Sequence, residues 1–218
     1  MKAIWTLDGD ETSWSAWAEN IALAPASSLM VDLITRNKAT CIGWALDIGC
    51  GTGRAFLPLT EAGYQVIGID PTMKSIRFSQ QRVNQSNISA YPVLASATQI
   101  PLPNQSIAFV FAISCLFHLG LVEMTDALQE IYRVLLPRGK AVLHFLDLED
   151  WRHTLAKEIP PEQAPIPSYR AVVTCFCSQE KIQQWITQAG LRFTELELKT
   201  SSSEAGEQRN WLAYCEKL

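Results

Sequence analysis

The sequence predicts an α/β protein built on a doubly wound, mainly parallel sheet. Three observations carry that prediction. Residues 45–59, ALDIGCGTGRAFLPL, run from an apolar strand through Gly49, Gly51 and Gly53 into a helix expected from about Arg54. Asp70 closes a second apolar strand, VIGID, seventeen residues after Gly53. From residue 41 onward, short apolar runs alternate with helical periodicity. Such alternation implies parallel strands joined by right-handed crossovers.

The elements follow in order. A short helix is expected over residues 13–23, and Ser27 or Ser28 caps a second helix running to about Asn37. Strand one spans 42–48. The helix after the glycine turn ends at Gly63, and Pro58 near its start bends the first turns. Strand two spans 65–69, and Thr72 caps a helix to about Asn84. Strand three spans 89–95. Strand four, 107–113, is almost wholly apolar, as a strand covered on both faces should be. A helix over 124–136 stops at Pro137, Arg138 and Gly139, and strand five spans 140–146. A helix over 178–189 precedes strands near 192–199 and 209–215, with the polar run 200–208 as a hairpin loop. The sheet then has seven strands.

The glycine turn is read by its spacing. A dinucleotide fingerprint places a third glycine where this chain has Arg54, and the lysine of a P-loop is absent. This disfavours a nicotinamide-dependent dehydrogenase. Asp47, just before the first glycine, is a poor neighbour for phosphate and a good one for an ammonium group. Asp70 sits where an acidic side chain accepts hydrogen bonds from both ribose hydroxyls. The pocket therefore suits a nucleoside carrying an amino acid, which describes S-adenosylmethionine.

Four ordered blocks carry a family resemblance: LDIGCGTG (46–53), VIGID (66–70), ATQIPLPNQSIAFVFAISCLFHL (97–119) and LQEIYRVLLPRGKAVLHF (128–145). The chain resembles the class I S-adenosylmethionine-dependent methyltransferases, in particular the type 11 small-molecule group. The resemblance implies a Rossmann-like, seven-stranded sheet with an antiparallel last strand and helices on both faces. It implies methyl transfer to an O, N or C nucleophile, with S-adenosylhomocysteine as product. Two positions depart from the family pattern. Ser96 stands where an acidic residue commonly holds the adenine amino group, and Ala108 stands at the Asp of SFDVV. They leave open a non-catalytic S-adenosylmethionine-binding regulatory protein.

Matching positions assigns roles. Asp47 orients the ammonium end, and the turn at Gly49, Cys50, Gly51 and Gly53 lets the methionine part approach the main chain. Asp70 takes the ribose, and Pro71 lies against adenine. Ser96 and Ala97 address the adenine edge, and Ala112 and Ile113 border the sulfonium. His118 is the candidate general base, because imidazole titrates near neutral pH. His144, inside strand five, is expected to be packed or hydrogen-bonded.

The flanks of this core have two readings each. Residues 1–40, with Trp5, Trp14 and Trp17, form either a helix docked on the sheet edge or a lid over the cofactor mouth. Residues 147–174 hold four prolines and form either a surface connection or a lining of the substrate site. Trp14, Trp17, Tyr169 and Arg170 are the substrate candidates beside His118. Residues 41–218 make the methyltransferase domain.

A net charge of −4 without a basic run argues against a nucleic-acid partner. No apolar stretch approaches the ~20 residues that span a bilayer. Asp8, Asp10 and Glu11 stand where a signal peptide would be apolar, so a cytoplasmic protein, monomer or homodimer, is expected. The six cysteines show no metal-ligand spacing and read as buried thiols.

Overall fold

The computed structural model describes residues 18–38, 43–153, 175–204 and 206–218. Helix α1 spans Ser28–Arg36, and the Ser27 hydroxyl accepts the Met30 N–H at 3.2 Å, as the capping signal predicts. Strands β1 (Gly43–Ile48), β2 (Tyr64–Asp70), β3 (Ala90–Leu94) and β4 (Ile107–Ala112) alternate with helices α2 (Phe56–Glu61) and α3 (Met73–Ser86). Helix α4 (Leu121–Val134) leads into β5 (Leu135–Asp147). Strand β6 (Phe176–Cys177), helix α5 (Gln179–Gln188) and strands β7 (Arg192–Ser203) and β8 (Gly206–Glu216) complete the chain.

The strand order is β3-β2-β1-β4-β5-β8-β7, with β6 paired to the end of β5. Strands β1 to β5 are mutually parallel, whereas β8 runs antiparallel to both β5 and β7. The predicted antiparallel last strand is thus present, wedged between its neighbours. The two-residue β6 is an eighth strand beyond the seven expected.

Alternation along the strands divides the core into two layers. Leu46, Ile48, Val110 and Ala112 pack against Met124, Leu128 and Ile131 of α4 and Ile182 and Trp185 of α5. Ala45, Phe109, Phe111 and Ile113 pack on the other side against α1 and α2, through Leu33, Ile34, Phe56 and Leu59. Gly68 of β2 admits the Phe56 ring, since a Cβ there would lie 2.4 Å from it.

Helix α4 is shifted toward the N-terminus from its expected 124–136, and three further boundaries differ from expectation for local reasons. Helix α2 begins at Phe56 instead of Arg54, because residues 51–55 complete the turn before helical bonding starts. Strand β5 begins at Leu135, ahead of Pro137. A register shift and a left-handed Arg138 (φ 65°) carry the proline-glycine segment along the sheet, where Arg138 N–H donates to the Lys217 carbonyl at 2.7 Å. The expected 200–208 loop is mostly strand. Thr200 pairs with Arg209 and Ser203 with Gly206, leaving a two-residue connection. Backbone pairing outweighs side-chain polarity there, and Gly206 lies on Trp151, with no room for a Cβ.

Candidate functional site

The carboxyl ends of β1, β2 and β3 meet at the glycine turn. Gly49 adopts φ 67°, and a Cβ on it would stand 2.3 Å from the Cβ of Cys115. Only glycine fits that combination. Cys50 N–H donates to the Ile69 carbonyl at 3.0 Å, and Gly53 N–H to the Cys50 carbonyl at 2.9 Å. Gly51 N–H donates to Asp70 Oδ2 at 3.0 Å, and Thr72 N–H to Asp70 Oδ1 at 2.9 Å. Ala95 N–H reaches back to the Asp70 carbonyl at 3.1 Å. Asp70 therefore ties all three strand ends together. Burial raises its pKa, and the Thr72 and Gly51 amides and the Thr72 and Ser75 hydroxyls oppose that rise.

Asp47 lies beneath this turn with 5% of its surface exposed, and its Oδ2 has no hydrogen-bond partner among the described residues. Burial, with the Asp70 charge adding to it, pushes its carboxyl up to about 8. The half-buried Arg54 guanidinium acts in the opposite sense. A buried, unpaired carboxyl oxygen is costly unless something cationic or protic meets it.

A cavity of about 450 Å³ opens over these groups. Gly49, Asp70, Pro71, Ser96, Ala97 and His118 line it, so six of the sequence-predicted residues converge. Asp47, Cys50, Gly51 and Gly53 stand behind that wall and support it. Ala112 and Ile113, expected to border the sulfonium, are correctly placed at the end of β4 but buried in the two core layers. The wall falls one to three residues later, at Ser114, Cys115 and Leu116. Strand alternation spends Ala112 and Ile113 on core packing, and the chain turns outward only after Ile113.

Ser96 is already engaged. Its hydroxyl accepts the Thr98 N–H at 3.2 Å and pairs with the Thr98 hydroxyl at 2.9 Å. Ala108 lies near the start of β4, against Gly43, at the opposite end of the strand from the cavity. Its departure from the family pattern does not touch the site. Trp14, Trp17, Tyr169 and Arg170 lie outside the described residues, as do residues 1–17 and 39–40 of the first flanking region and 154–174 of the second.

His118 sits in a 3-10 turn (Leu116–His118), its ring 4.4 Å from that of Phe117. His144 is buried with burial lowering its pKa to about 4, so its ring is neutral. The thiols of Cys50 and Cys115 are pushed well up by burial, which keeps them protonated and unreactive. The five described cysteines are free, and four of them are buried, as expected.

Sequence reasoning missed Thr72, Ser75, Thr98, Leu119, Gly120 and Glu123. Thr72 and Ser75 had a readable signal, as hydroxyls three apart on the first turn after an Asp at a strand end. Leu119, Gly120 and Glu123 had none, because only the bend after β4 brings them to the cavity.

Strand order and fold together define a class I methyltransferase architecture, with a cavity at the carboxyl ends of the parallel strands. Residues 46–143 match the methyltransferase domain family. It is 29% identical over 114 residues to a ubiquinone biosynthesis O-methyltransferase of Bradyrhizobium diazoefficiens, covering 51% of this chain and 44% of that protein. The chain therefore spans under half the length of that relative. Among solved structures, a SAM-dependent methyltransferase of Methanosarcina mazei superimposes with a TM-score of 0.72 at 18% identity, covering 89% of this chain and 99% of the other. The [4+2]-cyclase SpnF does so with 0.72 at 15% identity, covering 96% and 94%. No helix among the described residues is long and apolar enough to cross a membrane.

Proposed function

We propose that this protein transfers a methyl group from S-adenosylmethionine to a small-molecule acceptor. The observation that carries the proposal is Asp70 on the wall of the cavity at the strand ends, with the buried Asp47, whose Oδ2 has no hydrogen-bond partner among the described residues, behind that wall. A diphosphate would bring negative charge against the Asp70 carboxylate and would oppose ionisation of Asp47, which burial already disfavours. An aminoacyl nucleoside brings an ammonium for Asp47 and ribose hydroxyls for Asp70.

The residues present fit that group. Gly49 lines the cavity with main chain that the methionine part can approach, and Asp47 orients its ammonium from behind that wall. Asp70 is pre-set by the Gly51 and Thr72 amides and offers its remaining lone pairs to the ribose. Pro71, Ala97 and Leu119 give adenine apolar faces, with Ser96 at its polar edge. When bound, the sulfonium supplies an electrophilic methyl group to a nucleophile aligned behind it. The protein contributes alignment and exclusion of water, which together lower a barrier by about 7–11 kcal/mol in well-oriented reactions. His118, on the cavity wall, accepts the acceptor's proton where the nucleophile carries one. The N-terminal segment and residues 147–174 complete the acceptor side in this reading, in a cytoplasmic protein whose substrate is small.

Calorimetric titration with S-adenosylhomocysteine and with NADH tests the cavity. Binding of the first and not the second supports it, and the reverse rejects it. Transfer of radiolabelled methyl from S-adenosylmethionine into a metabolite extract then separates an enzyme from a non-catalytic binding protein. The engaged Ser96 hydroxyl favours that second reading, since it leaves adenine a weaker partner.

A further inference from the structure

The wall of the cavity at Ser114 has an unusual backbone. Ser114 is exposed, carries a side chain, and yet adopts φ 60° in the left-handed region. Such a residue costs free energy and persists only where its surroundings hold it. The group that holds it lies on another strand. His144 of β5 accepts the Ser114 N–H on Nδ1 at 3.1 Å, with the Ser114 hydroxyl 3.5 Å from the same nitrogen.

The tautomer follows from the partners. An amide N–H can only donate, so Nδ1 carries no proton, and Nε2–H donates to Asn210 Oδ1 of β8 at 3.0 Å. The Asn210 oxygen also accepts from Arg152 Nη2 at 3.4 Å, which fixes the amide's orientation. Arg152 in turn grips the fully buried Asp150 through Nε and Nη2, each at 2.7 Å. The Phe117 ring meets the His144 ring edge-on at 5.1 Å. Phe117 itself is fixed from a third element, since its carbonyl accepts the Cys175 N–H at 2.6 Å. Among the described residues, the charged groups facing His144, Arg152 and Asp150, are paired with each other, and burial keeps the ring neutral.

We propose that His144 is a positioning residue of the methyl-donor cavity: oriented by Asn210, its ring holds the left-handed backbone of Ser114 and so sets the wall at Ser114–Leu116 that faces the bound nucleoside. It does not touch the reacting atoms. This inference rests on reading the cavity as the S-adenosylmethionine site. It also explains why a histidine is kept inside β5, where an apolar residue would pack without needing partners.

Two substitutions separate the two ends of the ring. His144→Asn keeps an acceptor near the place of Nδ1, and His144→Gln keeps a donor near the place of Nε2 while withdrawing the acceptor from Ser114. The measurement is the affinity for S-adenosylhomocysteine, with thermal unfolding recorded beside it. H144Q should bind about five- to tenfold more weakly, the effect of one hydrogen bond, and H144N within about twofold of wild type. Adding Ser114→Gly to H144Q should restore most of the loss, because glycine adopts a positive φ without being held. A role confined to packing gives no such rescue.

Equal losses in H144N and H144Q, or a double variant as weak as H144Q, overturn the proposal. Long-range ¹H–¹⁵N correlation on the wild-type protein gives the tautomer whether or not the variants fold. A proton on Nδ1 overturns the proposal, and a proton on Nε2 alone supports it. If wild-type protein fails to bind S-adenosylhomocysteine, the reading of the cavity falls and this inference with it. If wild type binds and H144Q binds equally, only this inference falls.

Discussion

The carboxylate of Asp70 accepts the amide of Gly51 at 3.0 Å, joining the end of β2 to the middle of the glycine turn. One side chain therefore shapes the turn and presents its remaining lone pairs to the cavity. Asp70→Ala should remove both effects. Affinity for S-adenosylhomocysteine should fall by about 1–3 kcal/mol, the range for charge-assisted hydrogen bonds. Asp70→Asn, which keeps one acceptor, should lose less. Unchanged affinity in the alanine variant, read by calorimetry, would remove Asp70 from the site.

Asp47 makes binding proton-linked. Its carboxyl is raised from 3.8 to about 8, so the folded protein holds a proton that the unfolded chain has released between those values. Its contribution to stability is therefore full below about pH 4 and is lost as pH rises through about 8. An incoming ammonium favours the ionised form, so binding near pH 7 should release close to one proton. Titration in buffers of different ionisation enthalpy measures this, and Asp47→Asn should abolish the buffer dependence. The same observed enthalpy in every buffer with wild-type protein would count against the assignment.

Gly49→Ala should be severe. The added methyl lies 2.3 Å from the Cys115 Cβ, and φ 67° disfavours any side chain. Backbone strain and overpacking each cost about 1–3 kcal/mol. Thermal unfolding should shift down accordingly, and Cys115→Ser should not restore it, since the clash is with Cβ. A variant as stable as wild type contradicts this geometry.

Arg82 of α3 clasps the residues before α1 to the glycine turn. Its Nε donates to the Thr52 carbonyl, and its Nη2 to the carbonyls of Ala22 and Ala24, each at 2.8 Å. Arg82→Met keeps the apolar stem and removes three bonds. Hydrogen exchange over residues 18–24 should accelerate, while exchange in β4 and β5 stays as in wild type. Uniform acceleration across the chain would mean global destabilisation instead.

His118→Asn tests the proton acceptor. Loss of a general base typically costs about 10²–10⁴-fold in rate. Methyl transfer into a metabolite extract should fall by at least the lower figure with S-adenosylhomocysteine affinity little changed. A rate equal to wild type would show that the acceptor reacts without His118.

Much of this was legible in the linear chain. The parallel core, the glycine turn, Asp70 and His118 follow from patterns a few residues long, because strand ends and turn chemistry are set locally, whereas Ser96 and Ala97 come from the family resemblance. The same local logic misplaced the inner wall. Ala112 and Ile113 sit at the right strand end, but the residue that leaves the sheet is decided by how β4 packs between two layers of helices.

What the sequence alone determined is the parallel core and the turn of glycines between Asp47 and Asp70, on whose charge and spacing the proposed ammonium and ribose contacts rest. What only the tertiary structure decided is which distant residues hold that pocket in shape. His144 and Ser114 are thirty residues apart, His144 and Asn210 sixty-six, and Arg82 and Thr52 thirty. Contacts at such separations arise from the order in which strands pair and the face each side chain takes. No local propensity encodes them, so they become visible only when the sheet is assembled.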